Sequence, residues 1–460
     1  MTPVETLRGR KVAVFGLGGS GLSTVRALVA GGVEAAIWDD IEKARERTAA
    51  AGFPLSDLAR ADWGSFSFLV LSPGVPLTHP EPHWTVERAR AAGVPVVGDI
   101  ELFVRERDAR APRAPLVAIT GTNGKSTTTA LIAHVLKEAG RDVALGGNIG
   151  VPVLDLPPPA EGRTHVVECS SYQIDLAPSL APSVGLLINI TPDHLDRHGG
   201  LQSYAAIKER LVARSEVALV GVDDDLSRAV CARLKAQDGR PRVIAVSGQD
   251  SPLADVLVRD RRVIERDNLG SADLSGARAL RGAHNGQNAA FAYAAARALG
   301  VPGATIARAL LSFPGLAHRM EEIGRRGRVL FINDSKATNA DAAEKALKAF
   351  ADIHWIVGGK PKEGGIEPLR PLFPNVAKAY LIGEAADAFA RTLDGAVPFE
   401  RCGTLAAATE AAAFDASRSG ADEPVVLLSP ACASFDQFTN FEARGEAFRV
   451  AVANLIDGEA

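Results

Sequence analysis

Cysteine is scarce: Cys169, Cys231, Cys402 and Cys432 are the only four in 460 residues, and no two form a CxxC pair. Thiols this dispersed argue against a disulfide framework or a zinc site and fit a reducing compartment. No stretch approaches the roughly 18 unbroken apolar residues that a membrane span needs. The N-terminus reaches a Gly-rich turn almost at once, without signal-peptide architecture. Positive charge is not in excess, because 51 Lys and Arg against 55 Asp and Glu leave a net charge of -4. That balance argues against a nucleic-acid surface or an anionic-membrane partner. Any phosphate site must therefore be built locally, from backbone amides and a few placed cations. Short internal repeats and low-complexity tracts are also lacking. The expectation is a soluble, cytoplasmic monomer with no nucleic-acid and no membrane partner.

What is present is a 47% apolar, 23% charged chain, the balance of a soluble globular protein. Its length implies two to four compact units, since single cores seldom grow past ~250 residues. Short β-branched runs alternate with Ala/Leu-rich helical stretches. Lys11–Phe15, 35–38, Phe68–Leu71 and 94–97 read as buried parallel strands. The charged, Pro-bearing block 105–115 (RERDARAPRAP) reads as a linker. A second series runs through Leu116–Thr120, 165–168, 184–190, 217–222 and 242–247. The segment 312–319 (SFPGLAHR) breaks a helix at 304–311 and opens a third series, with strands Val329–Asn333, Ile353–Gly358, 379–382 and 425–429. Three α/β units follow, with parallel or mostly parallel sheets and boundaries at 1–108, 109–314 and 315–460. Ligands of such sheets sit at the C-terminal ends of strands, where the unusual residues fall.

The first motif is Gly16-Leu-Gly18-Gly-Ser-Gly21, after a strand and opening a helix, with Asp39-Asp40 ending the next strand. Its glycines allow a diphosphate close to a helix N-terminus. Alone it reads as a dinucleotide site, or as a turn needed only for strand–helix packing. The second motif, Thr120-Gly-Thr-Asn-Gly-Lys125-Ser126, lies between a strand and a helix beginning near Ser126. Gly121 and Gly124 let amides wrap a phosphate chain, Lys125 can reach the β- and γ-phosphates, and the Ser126 hydroxyl can hold Mg²⁺. It departs from the full GxxxxGK[ST] pattern because Ile119 stands five residues before Gly124. ATP belongs here, so the first unit's nucleotide is another one.

Downstream come Glu168 at a strand end, His194 in a loop (Asn189-Ile-Thr-Pro-Asp-His194) and Lys208 on a helix at 203–213. Carboxylate and imidazole groups facing a Mg²⁺–phosphate site would neutralise charge on a transferred phosphoryl group. The bland alternatives are a surface or capping histidine and a solvated helix lysine. Late in the chain, Gly315-Leu-Ala-His318-Arg319, the run 333–339 (NDSKATN) and the run 429–438 (SPACASFDQF) end or follow strands and are rich in hydrogen-bonding side chains. Such polar loops are binding loops more often than mere caps.

Taken in order, GTNGKST, the Glu168-Cys-Ser-Ser-Tyr-Gln173 stretch, TPDHLDRH, HNGQN, GLAHRMEEI, NDSKATN and SPACASFDQF resemble the Mur ligase family across essentially the whole chain. SPACASFDQF and NFEARGEAF look like its D-glutamate-adding branch. The resemblance implies an α/β fold of three domains: a Rossmann-like N-terminal domain that binds UDP, a P-loop central ATPase domain, and a Rossmann-like C-terminal domain that binds the amino acid. It implies an ADP-forming ligase of peptidoglycan precursor synthesis, with UDP-MurNAc-L-Ala and D-glutamate as substrates, ATP and Mg²⁺ as cofactors, and an acyl phosphate as intermediate. Lys125, Glu168, His194 and Lys208 would be catalytic. Ser126, Glu168, His194 and Lys208 would hold the metal, the lysine as a carbamate, as in the family. Gly121, Thr122, Asn123, Gly124, Lys125, Ser126, Thr127, Asn285, Asn288, Arg319 and Asp334 would contact ATP. Gly19, Ser20, Asp39, Ser72, Gly74 and Asn148 would line the UDP-MurNAc site, and Thr338, Lys362, Ser434, Phe435 and Phe441 would surround glutamate. Two places depart from the family pattern: Asp40, where a neutral or basic neighbour to uracil is expected, and the basic loop Gly358-Gly-Lys360-Pro-Lys362.

Three rival readings remain at this stage. A sister Mur ligase, an L-glutamate-adding variant or a folylpolyglutamate synthase shares the P-loop, the glutamate and the histidine, and the SPACASFDQF ending argues against it. An NAD-dependent dehydrogenase leaves the P-loop, Glu168 and His194 unexplained. A non-catalytic ATP-binding scaffold would show no substrate-dependent turnover.

Overall fold

A computed structural model describes residues 1–239, 241–266, 270–362 and 364–457. The chain divides into two compact units, Met1–Ser275 with Ala283–Leu311, and Gly276–Gly282 with Ser312–Ala460.

The first unit contains two sheets. In the smaller, Glu34–Trp38, Lys11–Phe15, Phe68–Leu71 and Val96–Val97 lie side by side in that order, all parallel. Val12, Val14 and Val70 enter one core while Ala13, Phe15, Leu69 and Leu71 enter another. Burial on both faces explains why these strands are near-continuous apolar runs. The larger sheet has nine strands among the described residues, with Leu116–Thr120 third from one edge, between Arg163–Glu168 and Val184–Leu187. Only the strands at its far edge, Val256–Arg259, Arg262–Glu265 and Ser271–Asp273, pair antiparallel. Parallel pairing carries the C-terminal ends of the central strands to one edge, and the P-loop and Glu168 both lie there.

The block at 105–115 is not a linker. Residues 105–110 are the last turns of a helix, Asp99–Arg110, whose charges are used inside the unit. Glu106, 1% exposed, accepts from both the Thr6 amide and the Thr6 hydroxyl at 2.6 Å. Glu101, fully buried, accepts from the Ser179 amide at 2.8 Å, and Arg107 donates to the Ala114 carbonyl at 2.9 Å. Buried charge is stable only when so partnered. The charge density that resembled a solvated linker instead joins the small sheet's region to the large one. The backbone adds to this joint, since the Thr2 amide donates to the Leu154 carbonyl at 2.7 Å and the Gly98 amide to the Leu176 carbonyl at 2.8 Å.

The second unit holds one six-stranded sheet, ordered Glu321–Arg326, Val329–Asn333, Val425–Leu428, Ile353–Gly358, Val376–Ile382, Phe399–Gly403. Only its first pair is antiparallel. Leu330, Ile332, Trp355, Val357 and Leu427 fill one face, and Phe331, Ile356, Tyr380, Val426 and Leu428 the other. All four cysteines are free. Among the described residues no helix is long and apolar enough to cross a membrane.

Candidate active site

The phosphate loop is built as its residue types require. The strand Leu116–Thr120 ends, the chain turns through Gly121 at φ 151°, and the helix Lys125–Glu138 begins after Gly124 at φ 85°. A side chain on Gly124 would also bring Cβ within 2.5 Å of Asn288 Oδ1, so glycine is required twice over there. The loop is fastened to TPDHLDRH: the Thr122 amide donates to the Asn189 carbonyl at 2.9 Å, the Asn123 amide to Asn189 Oδ1 at 2.9 Å, and the Thr191 amide to Thr122 Oγ1 at 3.0 Å. Asn288 accepts from Thr128 Oγ1 at 3.1 Å and donates to Asn285 Oδ1 at 3.0 Å. HNGQN is thus brought to the P-loop helix. Ser126 is buried and Thr127 half-buried in the first turn.

Lys208 is not solvated. It lies on Leu201–Ala213, 1% exposed, with Nζ over the Tyr204 ring at 4.6 Å. Nζ donates to Thr120 Oγ1 at 3.2 Å and to the Gly121 carbonyl at 2.8 Å. The Gly121 carbonyl also accepts from Lys125 Nζ at 3.0 Å, so two amines converge on one oxygen. Burial, and then the Lys125 charge, push the Lys208 pKa well below the usual lysine range. A neutral amine is the form that can react with CO₂.

Glu168, 2% exposed, ends its strand opposite Ile119. Its Oε1 accepts from Asn148 Nδ2 at 2.7 Å, while Oε2 is buried and has no partner among the described residues. An orphaned carboxylate oxygen beside a phosphate loop suits a cation. His194 takes a left-handed φ of 52° and caps the short helix Leu195–His198, with Nε2 3.4 Å from Asp193 Oδ2 and half its side chain exposed. Among the described residues no three His, Cys, Asp or Glu side chains form a ready metal cluster. Nothing in the sequence singled out Tyr172, Tyr204 or His198. The His198 imidazole stacks on Tyr172 at 5.0 Å and bonds Ser171 Oγ at 2.9 Å, and Tyr204 reaches Thr122 Oγ1 at 3.2 Å.

A cavity of about 610 Å³ opens beside the first glycine turn, and Ser20, Asp39, Ser72, Gly74 and Asn148 line it. Gly19 is not in that lining. Asp39 sits at the cavity with both oxygens engaged, Oδ2 by the Leu17 amide at 2.6 Å and Oδ1 by the Ile41 amide at 2.8 Å. It therefore shapes the glycine turn. Asp40 has its own local partners, with Oδ2 accepting from His83 Nε2 and Trp84 Nε1, each at 3.1 Å. Asn148 joins this cavity to Glu168, and Arg197 of TPDHLDRH donates to the Gly74 carbonyl at 3.1 Å.

In the second unit, Asp334 is buried and accepts from Ser429 Oγ at 2.8 Å and from the Met320 amide at 3.2 Å. Burial pushes its carboxyl up to about 7, against the weaker opposing effects of the Ser429 and Met320 hydrogen bonds and then of the nearby Arg319. Ser434 is buried, Thr338 half-buried and Lys362 exposed. Phe435 is 70% exposed, and Phe441 lies under Lys336 Nζ at 3.9 Å. An antiparallel bridge between Lys360 and Ala433 ties the basic loop to SPACASFDQF.

The Mur ligase middle domain family matches residues 119–296, the Mur ligase glutamate ligase domain 318–432, and the Mur ligase MurD-like N-terminal domain 10–98. The chain is 58% identical to a UDP-N-acetylmuramoylalanine--D-glutamate ligase of Rhizobium etli, covering 99% of this chain and 97% of that protein. It is 59% identical to the protein of the same name in Nitrobacter hamburgensis, covering 99% and 98%. In fold it is similar to the UDP-N-acetylmuramate-alanine ligase MurC of Thermotoga maritima, with TM-score 0.57 and 18% identity over 97% of this chain and 99% of that one. It is similar also to a UDP-N-acetylmuramoyl-L-alanyl-D-glutamate--2,6-diaminopimelate ligase, with TM-score 0.59 and 20% identity over 86% and 94%. With three family matches in order and relatives this similar end to end, the chain belongs to the Mur ligase family.

Proposed function

We propose that the chain is an ADP-forming ligase that joins D-glutamate to UDP-N-acetylmuramoyl-L-alanine in peptidoglycan precursor synthesis. The observation that carries this reading is the 58–59% identity, over both whole chains, with relatives bearing that activity's name. The site's chemistry supports it. UDP-MurNAc-L-Ala would lie in the cavity beside the glycine turn, near Ser20, Ser72, Gly74 and Asn148, with Gly19 in the adjoining helix turn and Asp39 bracing the loop. Asn148 bridges that cavity to Glu168, which suits an acceptor whose terminal carboxylate must reach the phosphate loop.

In the first step a carboxylate oxygen of the acceptor attacks the γ-phosphorus of ATP, the bond to the β,γ-bridging oxygen breaks, and ADP leaves. In the second, the amine of D-glutamate attacks the acyl carbonyl, the carbon–oxygen bond to phosphate breaks, and the amine loses its proton. The first step brings two anions together, so fixed positive charge must screen both. Gly121–Thr127 would wrap the phosphates, and Lys125 would turn from the Gly121 and Thr122 carbonyls to the γ-phosphate. Asn285 and Asn288 support the loop, and Arg319 and Asp334 would complete the nucleotide contacts. The orphaned Glu168 Oε2, the Ser126 hydroxyl, His194 and Lys208 fit Mg²⁺, which would supply further positive charge beside the phosphates. For Lys208 to serve, its neutral amine must bond to the carbon of CO₂ and release a proton, which yields a carbamate oxyanion. Thr338, Lys362, Ser434, Phe435 and Phe441 would receive D-glutamate. The dispersed free thiols fit a cytoplasmic enzyme, and one chain supplies every group named.

Mass spectrometry of a reaction with ATP, UDP-MurNAc-L-Ala and D-glutamate tests the reading. The expected product is the acceptor plus glutamate less one water, with one ADP per product. Unchanged acceptor under these conditions would overturn it.

A further inference from the structure

Arg444 carries no role in the reading above, yet it is among the largest fully buried side chains, 1% exposed. It lies on the helix Phe441–Asp457. Nε donates to Ser335 Oγ at 3.0 Å, and Nη2 donates to the Ser335 carbonyl at 2.8 Å and the Cys432 carbonyl at 3.1 Å. Ser335 Oγ passes the link on to the Phe441 carbonyl at 2.8 Å. Gly359, at φ 129°, makes room for the guanidinium, since a Cβ there would stand 3.2 Å from Nη1 and 2.5 Å from the Ala433 carbonyl. From the helix segment 440–448, one side chain thus ties 333–339 to 429–438 by hydrogen bonds and packs beside the basic loop at 358–362. From these segments Thr338, Lys362, Ser434 and Phe441 would hold glutamate.

Its charge is the second observation. Among the described residues Arg444 has no carboxylate partner at bonding distance, and Nη1 is buried with no partner at all. Asp436 acts on it only at longer range, and its Oδ2 accepts from the Glu384 amide at 3.1 Å. Burial lowers the guanidinium pKa to about 10, so it stays charged at neutral pH. Hydrogen bonds to carbonyls could be made by a neutral donor. An uncompensated buried cation is costly, and it is offset when an anion arrives nearby.

The geometry points to Arg444 as the positioning residue of the amino-acid site, fixing the segments 333–339 and 429–438 against its own helix and giving the pocket a standing preference for a dicarboxylate amino acid. This rests on the ligase reading above. The test is steady-state kinetics of full-length wild type, Arg444→Met and Arg444→Lys, with thermal melts of each. In Arg444→Met the KM for D-glutamate is expected to rise about 10- to 100-fold, while KM for ATP and for UDP-MurNAc-L-Ala stays within about threefold. Arg444→Lys keeps the charge and loses the fork, so its glutamate KM is expected to fall between the two. A folded Arg444→Met with wild-type glutamate KM would overturn the inference. If Arg444→Met does not fold, a wild-type glutamate KM in Arg444→Lys would overturn it, reducing the arginine to a brace. A wild-type enzyme that does not use D-glutamate would instead defeat the ligase reading itself.

Discussion

Lys125 and Lys208 both donate to the Gly121 carbonyl, and their environments give them different work. Lys125 is half-buried at the helix start, where the proposed mechanism has it meet the phosphate. Its replacement by Ala should lower turnover by about 10²–10³, as for other single electrostatic stabilisers. Binding of UDP-MurNAc-L-Ala, measured by calorimetry, should survive, and loss of both together would contradict this division of labour. Lys208 is buried against Tyr204 and held towards neutrality, the state carbamylation needs. Lys208→Ala should cripple turnover, and acetate should restore part of it by supplying an oxyanion in the vacated space. Lys208→Arg should stay inactive with or without acetate, because a fixed cation repels Mg²⁺. Near-normal activity in both variants would end the carbamate account. Lys208 could be named from the family resemblance, but its position on the helix did not show its burial. A lysine on an amphipathic helix is solvated by default, and only the fold shows Thr120, Gly121 and Tyr204 closing round it. Arg444 was hidden for the same reason: a lone arginine in NFEARGEAF gives no sign that it is buried against 333–339 and 429–438.

Among elements, the strand–loop–helix at Leu116–Glu138 was legible because glycine spacing, apolar run and helix start agree. The strands Asp142–Gly147, Glu321–Arg326 and Phe399–Gly403 were missed. Each lies at a sheet edge and is polar or only partly buried, so it lacks the apolar run by which a central strand announces itself. The helix Asp99–Arg110 was misread for the converse reason, its charges being satisfied internally by Thr6, Ser179 and Ala114. Glu106→Ala should strand the Thr6 donors and remove a carboxylate 3.4 Å from Arg110. The expected loss of stability is about 1–3 kcal/mol, seen as a lower denaturation midpoint. A midpoint equal to wild type would restore the linker reading of this segment.

At the scale of the molecule, the sequence implied three α/β domains, and three family matches follow that order. Within the first compact unit the helix Asp99–Arg110 joins the regions of the first two sheets. Whole-molecule stability should also carry the mark of Asp334. Its carboxyl holds a proton up to about pH 7 in the folded chain and releases it near the ordinary value of 3.8 when unfolded. The folded state therefore binds more protons between those values, and this group's contribution to stability falls as pH rises through that window. Compared with Asp334→Asn, the wild type should lose stability from pH 5 to 7 and no more above pH 8. Parallel curves for the two proteins would contradict the burial of a protonated Asp334.

The central claim, that this chain forms an amide bond between one acceptor and one amino acid at the expense of ATP, is tested most directly by phosphate release. The measurement is steady-state release with ATP, Mg²⁺ and UDP-MurNAc-L-Ala, adding D-glutamate, L-glutamate, D-alanine and L-lysine in turn. The account predicts sustained release with D-glutamate alone, and none when the acceptor is omitted. Equal release with the other amino acids, or release that ignores the acceptor, would contradict it.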